Sequence, residues 1–411
     1  MQVIVAGGGI GGLALALQLH ARGIPVQVYE QASAVRELGV GINTLPHAIA
    51  ELERLGLLRA LDEIAIRTRT LIYTTARGQP ILAQPRGLDA GHDSPQFSIH
   101  RGRLQKLLYD TVLARLGPEA VHTDRRLTGF EQDADGVTAT FQGRDGTREE
   151  VRGDLLVGAD GIHSAVRQAY YPEQGPPSWN GVMMWRGATW WPTFADGRTM
   201  VVGGGFRRKL VLYPIAAEET NRPGARLTNW VVCAKLGDST TPIPHKDDWS
   251  RRADHAKVLE MVDGELHTDA LDLPALIRGT DDVFVYPMCD RDPLARWSFG
   301  RVTLLGDAAH PMYPVGSNGA SQAILDGRAL ADRLAEGGPV EAALQAYDAE
   351  RRPATAAIVE ANRKGGPEGV IDFVEERAPE GFTDLDAVAS PEELREIVGD
   401  YQRLAGFAPA R

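Results

Sequence analysis

The chain opens on Val3-Ile4-Val5-Ala6, an apolar run with no polar position to give it a wet face, as in a strand buried on both sides of a parallel sheet. Residues 13–22 follow with helical composition, Gly23 is placed as the stop, and 26–30 reads as a second strand ending in an acid. Strand, turn and helix recur over 154–167 and again over 301–334, so the chain returns to the first sheet twice after leaving it. Between the first unit and the first return, Arg126–Gln132, Val137–Gln142 and 147–151 form a predicted meander, with Asp135-Gly136 and Asp145-Gly146 at its turns. The texture changes at about 176. Runs at 182–188, Thr199–Gly203, 209–215, 227–234 and 283–288 predict a mostly antiparallel sheet. Beyond 339 the chain reads as helix over 340–362, a break at Pro379-Glu380-Gly381, and an amphipathic helix over Pro391–Leu404 with acids at its start. The expected fold is α/β. A Rossmann-type domain (1–175 and 291–338) carries an inserted, mainly antiparallel substrate domain (176–290), and a C-terminal helical region spans 339–411.

The turn after the first strand is Gly7-Gly8-Gly9-Ile10-Gly11-Gly12, which satisfies G-x-G-x-x-G. Gly7 permits the tight turn, Gly9 lets the backbone approach a pyrophosphate, and Gly12 lets helix and strand pack closely. A pyrophosphate suits the start of this helix, at Ile10 and Gly11, where unpaired N–H groups and the helix dipole favour negative charge. Glu30, followed by Gln31, stands near the spacing at which a carboxylate accepts hydrogen bonds from an adenosine ribose. Strand, loop, helix, second strand and terminal acid in register predict dinucleotide binding. The loop alone does not choose between NAD and FAD.

Composition narrows the classes. A formal net charge of −11, spread along the 411 residues, disfavours nucleic acid as a partner. Cys233 and Cys289 match no metal or redox spacing, and the histidines show no ligand spacing, so no metal site is expected. No apolar run suits a bilayer and no leader pattern precedes the first strand, which makes cytoplasm the expected compartment.

Two later phrases carry more. Asp154-Leu155-Leu156-Val157-Gly158-Ala159-Asp160-Gly161 leads to Ser164 and Arg167, and Leu304-Leu305-Gly306-Asp307-Ala308-Ala309-His310-Pro311 leads to Pro314-Val315-Gly316-Ser317-Asn318-Gly319. With the glycine loop in front, this triple pattern over residues 1 to about 363 resembles the class A flavoprotein monooxygenases, the para-hydroxybenzoate hydroxylase fold. Leu38-Gly39-Val40-Gly41-Ile42-Asn43, Ser98-Ile99-His100-Arg101-Gly102, Met184-Trp185-Arg186-Gly187 and Asn318-Gly319-Ala320-Ser321-Gln322-Ala323 are similar to the phenazine-hydroxylating members. The resemblance implies noncovalent FAD, NAD(P)H as a transient electron donor, and oxygen transfer from a flavin C4a-hydroperoxide to an aromatic or heteroaromatic ring. It places Asp307 on the ribityl chain or a ribose hydroxyl, and Gly316, Ser317, Asn318 and Gly319 at the flavin's pyrimidine edge. Val40 and Gly41, with Leu38 before them, would lie against the ring system. Arg101 would contact FAD, Leu127 would pair with adenine through its backbone, and Asp160 would steady the loop between FAD and the nicotinamide donor. His310 is read as a structural member of its turn, and no catalytic acid or base is named.

For the substrate, Met184 and Arg186 share one strand face and Trp185 takes the other, with Tyr213 and Pro314 as further pocket candidates. Arg186 faces either the flavin, to pair with a substrate carboxylate or phenolate, or the solvent. All seven tryptophans fall between Trp179 and Trp297, which expects either core packing or an aromatic roof over the flavin. Beside the monooxygenase stand an FAD-dependent dehydrogenase or reductase on the same scaffold and a flavin-bound module without turnover. The chain is expected to act as a monomer or homodimer.

Overall fold

A computed structural model describes the chain except residues 38, 218–221, 239, 242, 244–250 and 409–411. The central sheet has five parallel strands in the spatial order Val302–Leu304, Leu155–Gly158, Val3–Ala6, Val26–Tyr29 and Val121–His122. Residues 3–6, 155–158 and 302–304 are buried throughout, as their unbroken apolar runs require of strands covered on both faces. The helix Ile10–His20 packs on this sheet and on the later helix Gly319–Ala335. That helix pair is tight because Gly327 has no side chain: a Cβ there would lie 3.2 Å from the Leu15 backbone. The meander forms Arg126–Gln132, Val137–Gln142 and Arg148–Gly153, the last strand running two residues beyond the expected 147–151. Its first turn closes as Asp133 accepts the N–H groups of Asp135 and Gly136, at 2.8 and 3.0 Å.

The second large sheet has seven strands, in the order Phe284–Asp290, Ser178–Pro192, Ala225–Lys235, Arg208–Ala216, Thr199–Gly203, Thr70–Thr74 and Pro80–Pro85. Its last two strands come from the segment expected to belong wholly to the nucleotide-binding part. Thr70–Thr74 pairs in parallel with Thr199–Gly203 and covers what is otherwise an open sheet edge. A parallel pairing between strands so distant in sequence leaves no hairpin signal to read.

Alternation sorts the faces of this sheet. Trp185, Leu210, Leu212, Trp230 and Val232 pack outward under the short helices His255–Val262 and Leu273–Arg278. Met184, Val231, Cys233 and Tyr286 pack on the inner side with Tyr313 and Val315. The tail continues this inner packing. Val370, Ile371 and Val374 of Gly369–Arg377, with Leu394 and Val398 of Pro391–Leu404, bury against Leu71, Tyr73, Met200, Val202 and Tyr213. The last helix starts at a capping box, in which the Glu393 N–H donates to Ser390 Oγ at 3.3 Å and the Ser390 N–H donates to Glu393 Oε2 at 2.9 Å. Among the described residues no helix is long and apolar enough to cross a membrane.

Candidate active site

The glycine loop behaves as its spacing requires. Gly7 sits at φ +113°, and a Cβ there would come within 2.2 Å of the Ala159 carbonyl oxygen, so the ends of Val3–Ala6 and Leu155–Gly158 meet only at glycine. A Cβ at Gly9 would meet nothing within 4 Å, leaving that face of the loop open, and no side chain caps the helix behind it. One at Gly12 would lie 2.1 Å from the Gly7 carbonyl oxygen. Gly11 has a packing reason instead, because a Cβ there would strike Leu305 and Ala323 at 2.8 and 3.1 Å. Ile10 is half-buried against the core beside it. The Glu30 carboxylate accepts the N–H groups of Gly8 and Ala32, both at 2.7 Å, which fixes it beside the loop. Gln31 next to it is exposed. The Arg125 N–H donates to the Glu30 carbonyl at 2.8 Å, which brings the Leu127 strand alongside. Leu127 itself is buried at a bulge in its pairing with Phe141.

The second and third motifs are tied together by a residue that carried no assigned role. Arg167 is buried and donates to the carbonyl oxygens of Ala308 (3.1 Å), Ala309 (2.9 Å) and Asp292 (3.0 Å). Asp160 orients the helix that presents it: the Ala165 N–H donates to Asp160 Oδ2 at 2.7 Å, while Ser164 Oγ accepts the Arg167 N–H at 3.0 Å. Its other oxygen, Oδ1, is buried without a partner, and burial raises its carboxyl above the ordinary range. Beyond the turn, His310 meets Asp326 at 2.5 Å and stacks on Trp297. Asp326 also accepts Arg351 Nε at 2.8 Å and the Gly306 N–H at 3.1 Å, so His310 belongs to a buried scaffold. Burial alone would raise the Asp326 carboxyl, but His310 and Arg351 hold it below the usual range.

Asp307 stands apart from that network. It projects from a turn made possible by Gly306 at φ +61°, its side chain is open, and no hydrogen bond or ion pair to a described residue engages its carboxylate. Surrounding protein nevertheless desolvates it enough to raise its pKa, partly offset by His310 and Arg101. This describes a carboxylate on the wall of a cleft, with its acceptor capacity free. Arg101, exposed at the start of its helix, donates its N–H to the Val40 carbonyl at 3.0 Å. Leu38, expected in the same stretch, lies outside the described residues. At the far end of the cleft, Gly316 and Ser317 have φ +66° and +59°, and Gly319 opens a 17-residue helix whose first turn is uncapped. A Cβ at Gly319 would meet nothing within 4 Å. The Asn318 side chain turns inward, donating to the Gly316 carbonyl (3.1 Å) and Tyr401 Oη (2.8 Å).

The inner face of the seven-stranded sheet closes on the same place. The Gly41 N–H donates to Asn229 Oδ1 at 2.7 Å, and Arg186 Nη2 donates to the Gly41 carbonyl. A Cβ on Gly41 would lie 2.7 Å from both Ile215 and Tyr213. Arg186 therefore faces inward. Two buried donors, Arg186 Nε and Asn229 Nδ2, have no partner there. Burial would lower the Arg186 guanidinium, but Tyr286 and Tyr213 beside it hold it above its usual range, and burial pushes Tyr213 up to about 12. Met184 lies in the adjoining apolar wall and Pro314 is exposed at the loop entrance. A narrow cavity between sheet and loop is lined by Val182, Phe206, Lys209, Cys233, Tyr313 and Val315. Sequence reading missed Asn229. Its signal was a lone amide in the apolar strand Ala225–Lys235, in register with Tyr213.

The described tryptophans do not roof this site. Trp179, Trp185 and Trp230 belong to the outer core with Trp191 against it, Trp190 stacks under Arg222, and Trp297 lies in the core of the parallel sheet. Trp249 is outside the described residues. The pieces that remain fit FAD: an open, uncapped glycine loop, a free carboxylate midway, and a second uncapped helix start at the far end.

Comparison with known proteins agrees. The chain is 44% identical over 365 residues to a phenazine 1,6-dicarboxylic acid hydroxylase of Lysobacter antibioticus, covering 88% of this chain and 89% of that protein. It is 33% identical over 377 residues to a 3-amino-4-hydroxybenzoate 2-monooxygenase of Streptomyces platensis, covering 89% and 88%. The fold is that of Klebsiella pneumoniae HpxO, solved with FAD and uric acid, at a TM-score of 0.75 and 24% identity over 99% of this chain and 96% of that one. Residues 1–362 match the family model described as the FAD binding domain, and to that family of flavoproteins this chain belongs.

Proposed function

We propose that this FAD-dependent monooxygenase hydroxylates a flat aromatic or heteroaromatic ring bearing a carboxylate, phenolate or oxo group, held against the inner face of the seven-stranded sheet. The observation that carries the reading is the pair of buried, unpartnered donors, Arg186 Nε and Asn229 Nδ2, beside the Gly41 peptide. Unpaired buried donors are costly, and an acidic or oxo substituent satisfies both. The wall beside them, Met184, Val231, Tyr286 and Met288, is apolar and suits a ring. The substrates for which the two relatives are named, a phenazine dicarboxylic acid and an aminohydroxybenzoate, are carboxylated rings of this kind.

Bound FAD would supply the redox chemistry, with NAD(P)H as the electron source and O₂ as the source of one oxygen atom for the ring and one for water. The chain's own residues bind and orient. In this reading Gly7, Gly9, Ile10, Gly11 and Gly12 meet the pyrophosphate, Glu30, Gln31 and Leu127 the adenosine, and Asp307 and Arg101 the middle of the cofactor. Val40, Gly41 and the 316–319 backbone border the ring system, where a helix start stabilises negative charge. The enzyme works in the cytoplasm with dissolved O₂ and a small-molecule partner.

The test uses purified holoenzyme and a panel of ring carboxylic acids, phenols and lactams. Stimulated NAD(P)H oxidation with one ¹⁸O atom from ¹⁸O₂ in the product is expected. Turnover of substrate without oxygen uptake, or oxygen transfer confined to aliphatic compounds, refutes the proposal.

A further inference from the structure

The tail beyond residue 362, outside the span that matches the family model, reaches the turn before the Gly319 helix through one aromatic residue. Tyr401, on the buried stripe of Pro391–Leu404, donates its hydroxyl to Asn362 Oδ1 at 2.6 Å and accepts Asn318 Nδ2 at 2.8 Å. Its ring lies between two glycines. A Cβ on Gly316 would come within 2.4 Å of the Tyr401 hydroxyl oxygen and 2.6 Å of the ring, and one on Gly366 would lie 3.2 Å from the ring's other edge. Both glycines have positive φ, +66° and +53°, so backbone conformation and ring placement require each other. A second tail residue grips the same turn. Glu368 is buried, accepts the Gly316 N–H at 3.4 Å and pairs with buried Lys209 of the substrate sheet.

We infer that Tyr401, with Glu368, is a positioning residue that sets the 315–319 turn in the conformation that receives the flavin. This rests on the reading that this turn borders the flavin ring. Asn318 cannot serve the turn as a side-chain cap, because its amide is committed to Gly316, Tyr401 and Gln322. Without the tyrosine hydroxyl, that amide loses a buried partner and the turn spends part of its time in other conformations, which lowers apparent affinity by the fraction lost. A tail acting only as core packing would leave the flavin's own properties untouched.

The experiment compares Tyr401→Phe, Glu368→Gln and Gly319→Val by titrating flavin-free protein with FAD, recording the bound flavin's visible spectrum and midpoint potential, and measuring the thermal midpoint. Tyr401→Phe keeps the ring and is expected to weaken FAD binding about tenfold, with a shifted spectrum or potential, and to lower the melting midpoint modestly because Asn318 Nδ2 and Asn362 Oδ1 each lose a buried partner. Glu368→Gln, which reaches the turn from a different segment, is expected to act in the same direction and decides the matter if Tyr401→Phe does not fold. Wild-type affinity, spectrum and potential in Tyr401→Phe, alongside weakened binding in Gly319→Val, overturn the positioning role alone. Wild-type binding in Gly319→Val overturns the placement of the flavin at this turn.

Discussion

Asp307 offers the most direct quantitative test of the cofactor site. Its carboxylate is open in the cleft and engages no described residue, so replacing it with alanine removes no internal partner and strands no buried donor. Desolvation by the surrounding protein raises its pKa although the side chain is open, which means the charged form costs the folded state some stability at neutral pH. The sign follows: a carboxyl raised in the fold destabilises above its unfolded pKa, and Asp307→Ala relieves that cost. The flavin-free variant is therefore expected to melt at the same temperature as the parent or slightly above it. Binding moves the other way. A charge-assisted hydrogen bond from a flavin-chain or ribose hydroxyl contributes roughly 1.5–3 kcal/mol, so one lost bond weakens FAD about ten- to a hundredfold. Titrating flavin-free protein with FAD and following the quenching of flavin fluorescence measures this. In the parent, affinity should fall as pH drops through the raised carboxyl pKa, because the protonated acid accepts fewer bonds, and this dependence should vanish in the variant. Unchanged FAD affinity in Asp307→Ala refutes the assignment. A lower melting temperature without FAD refutes the claim that this carboxylate is internally unpartnered.

Three further outcomes follow from the same geometry. Arg186→Met should raise KM for a carboxylated ring about ten- to a hundredfold in steady-state assays and, because it also releases the Gly41 carbonyl, weaken FAD binding by a smaller factor. Gly41→Ala forces a methyl to 2.7 Å from Ile215 and Tyr213, and should cost about 1–3 kcal/mol, read as a lower urea midpoint. Arg167→Met takes the guanidinium from the buried carbonyl oxygens of Ala308 and Ala309 and should cost about 2–5 kcal/mol in the same measurement.

How much of this was legible in the sequence depended on whether the determinant is local. The glycine loop was, because tight turn, phosphate approach and helix packing each demand a glycine at a fixed offset from a strand buried on both faces. Gly11 shows the limit: it fits the motif by position, yet Leu305 and Ala323, some three hundred residues away in sequence, supply its reason. Alternation placed Met184 and Arg186 on one face and Trp185 on the other, but not which face looks inward. That choice depends on where His255–Val262 and Leu273–Arg278 dock, and they dock on the tryptophan side. A cluster of tryptophans reads equally as pocket or core until those helices are placed. Leu394, Val398 and Tyr401 form a helical apolar stripe that predicts burial of the last helix. The partners of the Tyr401 hydroxyl, Asn318 that donates to it and Asn362 that accepts from it, belong to tertiary packing and left no trace in local pattern.

The site's organisation turns on a single peptide. Gly41 is gripped from the seven-stranded sheet by Arg186 and Asn229, and the residue before it, Val40, accepts the Arg101 N–H from the helix beside Asp307. The two side chains with donors to spare for a substrate are thus the two that fix the backbone proposed to border the flavin. A substrate group that engages Arg186 Nε and Asn229 Nδ2 orders the same guanidinium and amide whose other atoms hold Gly41. Binding the ring and settling the flavin's edge then draw on one set of hydrogen bonds. Such coupling favours substrates whose acceptor meets both donors at once, because an acceptor reaching only one leaves the other buried and unpaired. At the proposed substrate site, discrimination would follow from the position of the acidic or oxo substituent relative to the ring, with the apolar wall of Met184, Val231, Tyr286 and Met288 tolerating variation in the ring itself.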